Sequence, residues 1–575
     1  MATLLFLIVF AAWLPIFPNS NDFTLPETED DPFRLTTTNY RLQTKGKVRN
    51  YEFVISEEVR SPDGVERTMI LANGQFPGPT LHANVGDTLR ILVHNQLHNS
   101  TSLHWHGLHQ RGTNRMDGVP GVTQCGIASG SSFLYEFTLT QTGTYWWHSH
   151  SQTQRLDGLF GALIVHGAGE AYQMGRDYDE EVVVLLQDYY HTPAPDMLAW
   201  YLTRASSGFE PVPDNGLING QNVFECSRKI GMDCMDGGNR HEFHFRRNMR
   251  YRLRLINTGA VAGFNFSIEG HPMQVIEADG VDVHPIDIDA IPIAPAQRYS
   301  VLIDSSNVGS TFFMRAEMEN SCFNYFNKAL DRLVKAIIRY GDDSERLDDS
   351  NTPLSYTHTL QNGVCRDLDA SLLSPVDAID APAPDVRHVI WAMTMRLEHN
   401  NLAPYGFINR TSFQPAVGAP NLLVEQGVIS ESELKTPSVS GMIPNTAKYG
   451  GSQLITPIPL GYVVEMVINN VDQNPHPFHL HGHHFWVLHT HEARVGLGNW
   501  RPGKIYNTKN PARRDTIIVP AYGHAVIRWV ADNPGMDLYC ILILIGRILG
   551  ISLSCSMASG HRYDDAIRRG HKPYQ

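Results

Sequence analysis

The chain has little cysteine, few charges and no basic run: seven cysteines among 575 residues, 18% charged side chains and a net charge of −13. Seven cysteines are too few to staple a chain of this length, so the fold must rest on hydrophobic cores. Their odd count leaves at least one thiol over. Without a polybasic segment, nucleic acid and anionic membrane surfaces are excluded as partners. Long amphipathic helical periodicity is scarce. The apolar run "YCILILIGRILGISL" is short for a membrane span and is interrupted by Arg547, so no membrane anchor is expected there.

The N-terminus, "MATLLFLIVFAAWLPIFPNS", has an apolar stretch followed by small and polar residues, and predicts a secretory signal peptide over residues 1–20. Glycosylation sequons at Asn99, Asn265 and Asn409 suit a secreted, extracellular chain.

The rest of the chain carries short Val/Ile/Tyr/Phe-rich runs punctuated by Gly, Pro, Asn and Asp, which predicts an all-β protein. One pattern occurs three times: "DTLRILVHNQLHNSTSLHWHG" (Asp87–Gly107), "MRYRLRLINTGAVAGFNFSIEGH" (Met249–His271) and "GYVVEMVINNVDQNPHPFHLHGH" (Gly461–His483). Each is an alternating strand ending near an asparagine, a polar turn, and a strand entering a Gly/His corner. Repeats this large predict duplicated domains, placed here at 40–170, 180–345 and 385–560, each a Greek-key β-sandwich or barrel. The stretches "DDSERLDDSNTPLSYTH" and "DAPAPDVRH" mark the linker before the third.

The first and third copies carry H-x-H where the second carries Ser-Ile-Glu-Gly-His. H-x-H pairs occur at His104/His106, His148/His150 and His479/His481, with His476 close by; scattering 27 histidines at random gives about one such pair. Residues i and i+2 of a strand share a face, so each pair presents two imidazoles side by side, as a metal site requires. Neutral imidazole suits copper, zinc, iron and nickel, but seven histidines exceed the needs of one tetrahedral zinc and predict a metal cluster. His109, His483, His489 and His491 are read as solvated or hydrogen-bonded, and His484 as a supporting or surface residue.

"HWHG", "WWHSH" and "HPFHLHGHHF", in this order across three β repeats, resemble the multicopper oxidases: laccases, ferroxidases and ascorbate oxidases. "NGQFPGPTLHANVGD", "QRGTNRMDGVPGVTQC" and "NPARRDTIIVPAYG" extend the resemblance over nearly the whole mature chain. It implies three consecutive cupredoxin-like Greek-key β-barrel domains and four copper ions. His104 and His479 would hold type 2 copper. His106, His148, His150 and His481 would supply four of six ligands to the type 3 pair, and His476 one ligand to type 1, blue copper. Asp117 matches an acid that relays protons to the dioxygen site, and Asp188 an acid lining the substrate pocket. Cys125 would pair with Cys226, and Cys322 with Cys365; a small loop joining Cys226 to Cys234 is the competing pairing. The implied activity couples one-electron oxidation of phenolic or related aromatic donors, as in pigment or secondary-metabolite coupling, to four-electron reduction of O2 to water. Ferroxidase activity on Fe(II) in iron uptake is the alternative, and a monomer is expected.

The resemblance fails at one place. The family's H-C-H-I-x-W-H motif should follow "NPG", but the chain reads "ADNPGMDLYCILILIGRILGISLSCSMASGHRY". No histidine lies between "NPG" and "MASG", and Cys540 and Cys555 are poor matches to the type 1 thiolate. A blue-copper site needs two histidines and a cysteine, so His476 alone does not make one. A retained intron or misdrawn exon boundary over 536–556 accounts for this best, because family-like sequence brackets the break. A decayed gene and an inactive copper-binding relative are the other readings.

Overall fold

The computed structural model describes residues 31–36, 45–228, 233–235, 238–306, 311–340, 365, 367–396, 402–409, 411–413, 420–425, 454–493, 495–541 and 552–558. The expected signal peptide and the stretch "DDSERLDDSNTPLSYTH" lie outside them.

The described residues form six sheets, two to a unit. The first unit joins a sheet of Arg67–Ala72, Val48–Arg60, Thr88–Asn95 and Ser132–Thr138 to one of Leu81–Asn84, Phe160–His166, Gly143–Ser149 and Leu103–His106. The second unit has seven- and five-stranded sheets, and the third six- and five-stranded sheets. In every unit one strand runs parallel to the strand that opens the repeat: Val48–Arg60 to Thr88–Asn95, Glu180–Tyr189 to Arg250–Asn257, and Val386–Arg396 to Val463–Asn470. Parallel neighbours cannot be joined by a hairpin, so each unit needs the long crossing connection of a Greek key. These are three cupredoxin-like domains.

The repeated asparagine is what turns the chain. Asn95, Asn257 and Asn470 each end a strand, and each accepts the backbone N–H two residues on: Leu97 at 3.0 Å, Gly259 at 2.9 Å and Asp472 at 2.9 Å. Each side-chain amide also donates to a carbonyl four or five residues on: Asn99, Ala262 and Asn474. This Asx geometry replaces the ladder bonds that the chain gives up as it leaves the sheet.

Alternation then decides what faces where. On Leu103–His106, Leu103 and Trp105 enter the core of the first unit, where the Trp105 ring lies 5.3 Å from Tyr135 and 5.2 Å from Phe137. His104 and His106 take the opposite face and are buried all the same, because the third unit covers them.

One connection was not anticipated from the sequence and another corrects an expectation. Arg34–Thr36 belongs to the second unit, pairing with Glu180–Tyr189 rather than with the segment that follows it. Cys226 bonds Cys234 and not Cys125, so the expected Cys125–Cys226 pairing is corrected. A short turn at Cys226–Arg228, with Cys234 bridged to Val65, brings the two Cα atoms to 5.7 Å, within disulfide reach. Cys125 remains an exposed thiol, and Cys322–Cys365 forms as expected.

Candidate metal centre

Register assembles the first half of the site. Leu103–His106 pairs antiparallel with Gly143–Ser149, setting His104 opposite His148 and His106 opposite Trp146. Opposed residues share a face. The third unit brings His476–Leu480 against this face, with His479 opposite Thr516 of the neighbouring strand. Six imidazoles from two distant parts of the chain then meet. Ring centroids are 3.7 Å apart for His106/His479, 4.1 Å for His104/His481, 5.3 Å for His104/His148 and 5.4 Å for His150/His481.

Five of the six rings have an orientation fixed by a hydrogen bond. His104 donates Nδ1–H to the Asp117 carbonyl at 2.7 Å, His148 donates to the Ser149 carbonyl at 3.0 Å, and His479 donates to the Asp515 carbonyl at 3.0 Å. Their Nε2 atoms are buried and have no hydrogen-bond partner among the described residues. His106 is turned the other way, its Nε2 beside Thr516 Oγ1 at 3.3 Å and its Nδ1 left inward. One nitrogen tied to an outer acceptor and the other aimed inward is how metal-ligating histidines are held. Burial, with neighbouring imidazoles adding to it, pushes His106 and His148 well below the ordinary histidine range and His481 down to about 3. They are therefore neutral, with lone pairs available to a metal. One ring nitrogen from each of His104, His479 and His481 lies within 4.8 Å of the other two, and the same holds for His104, His106 and His148. An all-imidazole donor set this dense fits a cluster of copper ions.

Asp117 lies against this cluster. Its carboxylate accepts from His481 Nδ1 at 2.9 Å and stands 3.2 Å from His104 Nδ1. Burial alone would raise its pKa, but the two imidazoles hold it far below the carboxylate range. Sequence reasoning missed Asp515, within "NPARRDTIIVPAYG". It is buried 3.5 Å from both His106 and His479 and clamped in a two-pronged ion pair by Arg298 of the second unit, at 2.8 and 2.6 Å. The motif was visible, but its partner lies 217 positions away.

His476 points elsewhere, as strand alternation requires. Its Nε2 lies 3.1 Å from Asp472, and Glu210 is the next charged neighbour. Burial pushes Glu210 up to about 7; the His476 charge opposes this and that of Asp472 reinforces it. Neither acid was singled out from the sequence. Asp188, which was, is buried with its carboxylate accepting the N–H groups of Ala260, Val261 and Ala262 at 2.9, 2.8 and 2.9 Å. It closes the turn of the second repeat, between Asn257 and the strand Phe264–Ile268.

For a blue-copper site the described residues supply His476 and no second imidazole. The backbone register sets Cys540 opposite His479 and not opposite His476, whose strand partner is Val519. A two-histidine, one-cysteine site does not fit here.

Three family models, each described as multicopper oxidase, match residues 54–170, 180–342 and 420–541. Oxidoreductase OpS5 of Beauveria bassiana is 36% identical over 510 residues, covering 87% of this chain and 80% of its own length. Laccase-1 of Cryptococcus neoformans var. grubii is 34% identical over 542 residues, covering 91% and 83%. The crystal structure of Fet3p, a multicopper oxidase that functions in iron import, superposes with TM-score 0.77 at 28% identity, covering 89% of this chain and 90% of that one. With the domains matched in order and the six imidazoles converging as the cluster requires, this chain belongs to the multicopper oxidases, copper enzymes that couple oxidation of a reductant to reduction of O2.

Proposed function

We propose that the gene encodes a secreted, glycosylated, monomeric laccase-like oxidase of phenolic or related aromatic donors. The carrying observation is Glu210, raised to about 7 beside His476. A phenol that gives up an electron must also give up its proton, and a carboxylate titrating near neutral pH suits that transfer. Copper, when bound, supplies the one-electron oxidation and the reduction of O2 to water. The protein's own share is to hold His104, His106, His148, His150, His479 and His481 in place, to keep the ionised Asp117 carboxylate against them as a proton acceptor, and to offer Glu210 to the donor. We place type 2 copper at His104 and His479 and type 3 copper at His106, His148, His150 and His481, while His476 awaits the partners that the break in H-C-H-I-x-W-H withholds. Secretion is supported by the apolar N-terminus and by two disulfides. The exposed Asn99 and Asn409 suit glycan attachment, whereas Asn265 is half-buried with its amide 3.4 Å from Glu319. No helix among the described residues is long and apolar enough to cross a membrane.

Glu210 and Asp472 together also favour a second reading, oxidation of Fe(II), since two carboxylates beside His476 could bind a hard cation. Two experiments test these readings. Sequencing the transcript across the codons for Gly535 to Gly560 should show a spliced message restoring H-C-H-I-x-W-H; a message encoding the present chain would leave a copper-binding protein without turnover. Comparing kcat/KM for a phenol and for Fe(II) in the protein from the restored message, and in Glu210→Gln, then separates the donors. Phenol turnover should rise with pH through about 7, as Glu210 loses its proton, and the variant should lose that rise. A preference for Fe(II) overturns the phenol reading.

A further inference from the structure

We propose a second metal site, for one divalent cation of the zinc or copper class, formed by His82, His166 and Glu181 where the first two units meet. It shares no residue with the six-imidazole cluster. His82 lies on Leu81–Asn84, His166 ends Phe160–His166, and Glu181 lies on Glu180–Tyr189. The first two strands are parallel neighbours with Asn84 opposite His166, so His82 and His166 share a face two residues apart. Their rings are nearly parallel, 14° between planes, with centroids 6.2 Å apart. One ligand atom from each of the three residues lies within 4.8 Å of the other two. Two imidazoles and a carboxylate are a donor set that zinc and copper both accept.

The surroundings orient the carboxylate. Glu181 Oε2 accepts from Arg254 at 2.9 and 3.0 Å and from Tyr178 at 3.2 Å, which leaves Oε1 facing His166 Nε2 at 3.2 Å. Outer partners of this kind hold metal-ligating carboxylates in register. Arg252 and Arg254 are outnumbered by Glu170, Glu181 and Glu277, which they pair, and Arg49, a further cation near His82, is paired with Asp87.

His82 is what distinguishes a cation from a proton here. A proton on His166 would satisfy Glu170 and Glu181, which stand 3.7 and 3.2 Å from its two ring nitrogens. It would do nothing for His82, both of whose ring nitrogens are shielded from solvent with no hydrogen-bond partner among the described residues. Buried polar groups find partners, and one that finds none in the protein calls for an ion or a water. A cation at the edges of the two rings, where one ligand atom of each residue comes within reach of the others, would take the lone pair of His82 together with those of His166 and Glu181, pinning the first unit to the second.

The test uses the full chain, loaded with copper, equilibrated with Zn2+ and dialysed, beside His82→Phe prepared in the same way. Phenylalanine fills the space and removes the stranded nitrogens, so the variant should fold. Total copper plus zinc should fall by one ion per chain in H82F, and the rise in melting temperature that Zn2+ gives the parent should vanish. X-ray absorption at the zinc edge of the parent, which needs no variant, should show imidazole scattering. Equal metal content in the two proteins, or a zinc edge without imidazole, overturns the proposal and leaves a buried histidine beside a His166–Glu181 ion pair.

Discussion

Replacing Asp515 with asparagine removes one charge from a buried link that involves all three units. Arg298 donates to both carboxylate oxygens, and neither side chain is more than 2% exposed. The other carboxylate near Arg298, Asp279, is 3.5 Å away and is already engaged by Arg514 at 2.8 Å. Arg298 would thus be left as a buried charge without an adequate partner, at a cost of about 3–5 kcal/mol. At ~2–4 °C per kcal/mol for a unit of 150–250 residues, the melting temperature should drop by ~6–20 °C. A second effect falls on the metal centre. The carboxylate stands 3.5 Å from His106 Nε2 and His479 Nδ1, and losing such an outer partner weakens metal binding about 10–100-fold. Calorimetry of stripped protein reads the first effect and copper titration the second. Adding Arg298→Met to the variant should recover part of the stability but none of the copper affinity, because it removes the stranded charge without restoring the acceptor. A D515N protein that melts like the parent, or binds copper equally well, refutes the reasoning.

Glu277 provides a pH signature. Burial opposes its charge, but Arg252 and Arg254 outweigh burial and hold it down to about 2. Between about pH 5 and 2 the unfolded chain binds the extra proton, so stability falls with pH by about 3 kcal/mol in all; Glu277→Gln should flatten that slope in acid titrations followed by circular dichroism, and an unchanged slope would count against the assignment. Asp188→Ala should strand the backbone N–H groups of Ala260, Val261 and Ala262 and lower stability by about 3 kcal/mol or more. A variant that melts like the parent but binds phenols weakly would instead place Asp188 in the donor pocket. Alkylation of the folded, unreduced protein should label Cys125 and spare Cys226 and Cys234, which react only after reduction; protection of Cys125 would restore its pairing with Cys226.

The linear order of residues was enough for the all-β class, for the three repeats and for picking out six histidines whose rings the fold brings together. H-x-H works through local geometry: two side chains on one face of a strand, whatever the strand then packs against. The repeated asparagines were legible for the same reason, since an Asx turn closes within five residues. What sequence could not reach depends on register and on contacts between units. Asp515 owes its place to Arg298, Glu210 owes its raised pKa to burial near His476, and Asp188 is occupied by a turn some 70 residues away. Cys226 meets Cys234 because a local turn brings their Cα atoms within range, whereas spacing alone left two pairings open. His82 and Glu181 look ordinary in the chain. Only the packing of one unit on the next buries a carboxylate beside two imidazoles, where a long-range contact, and not any local pattern, determines what each can bind.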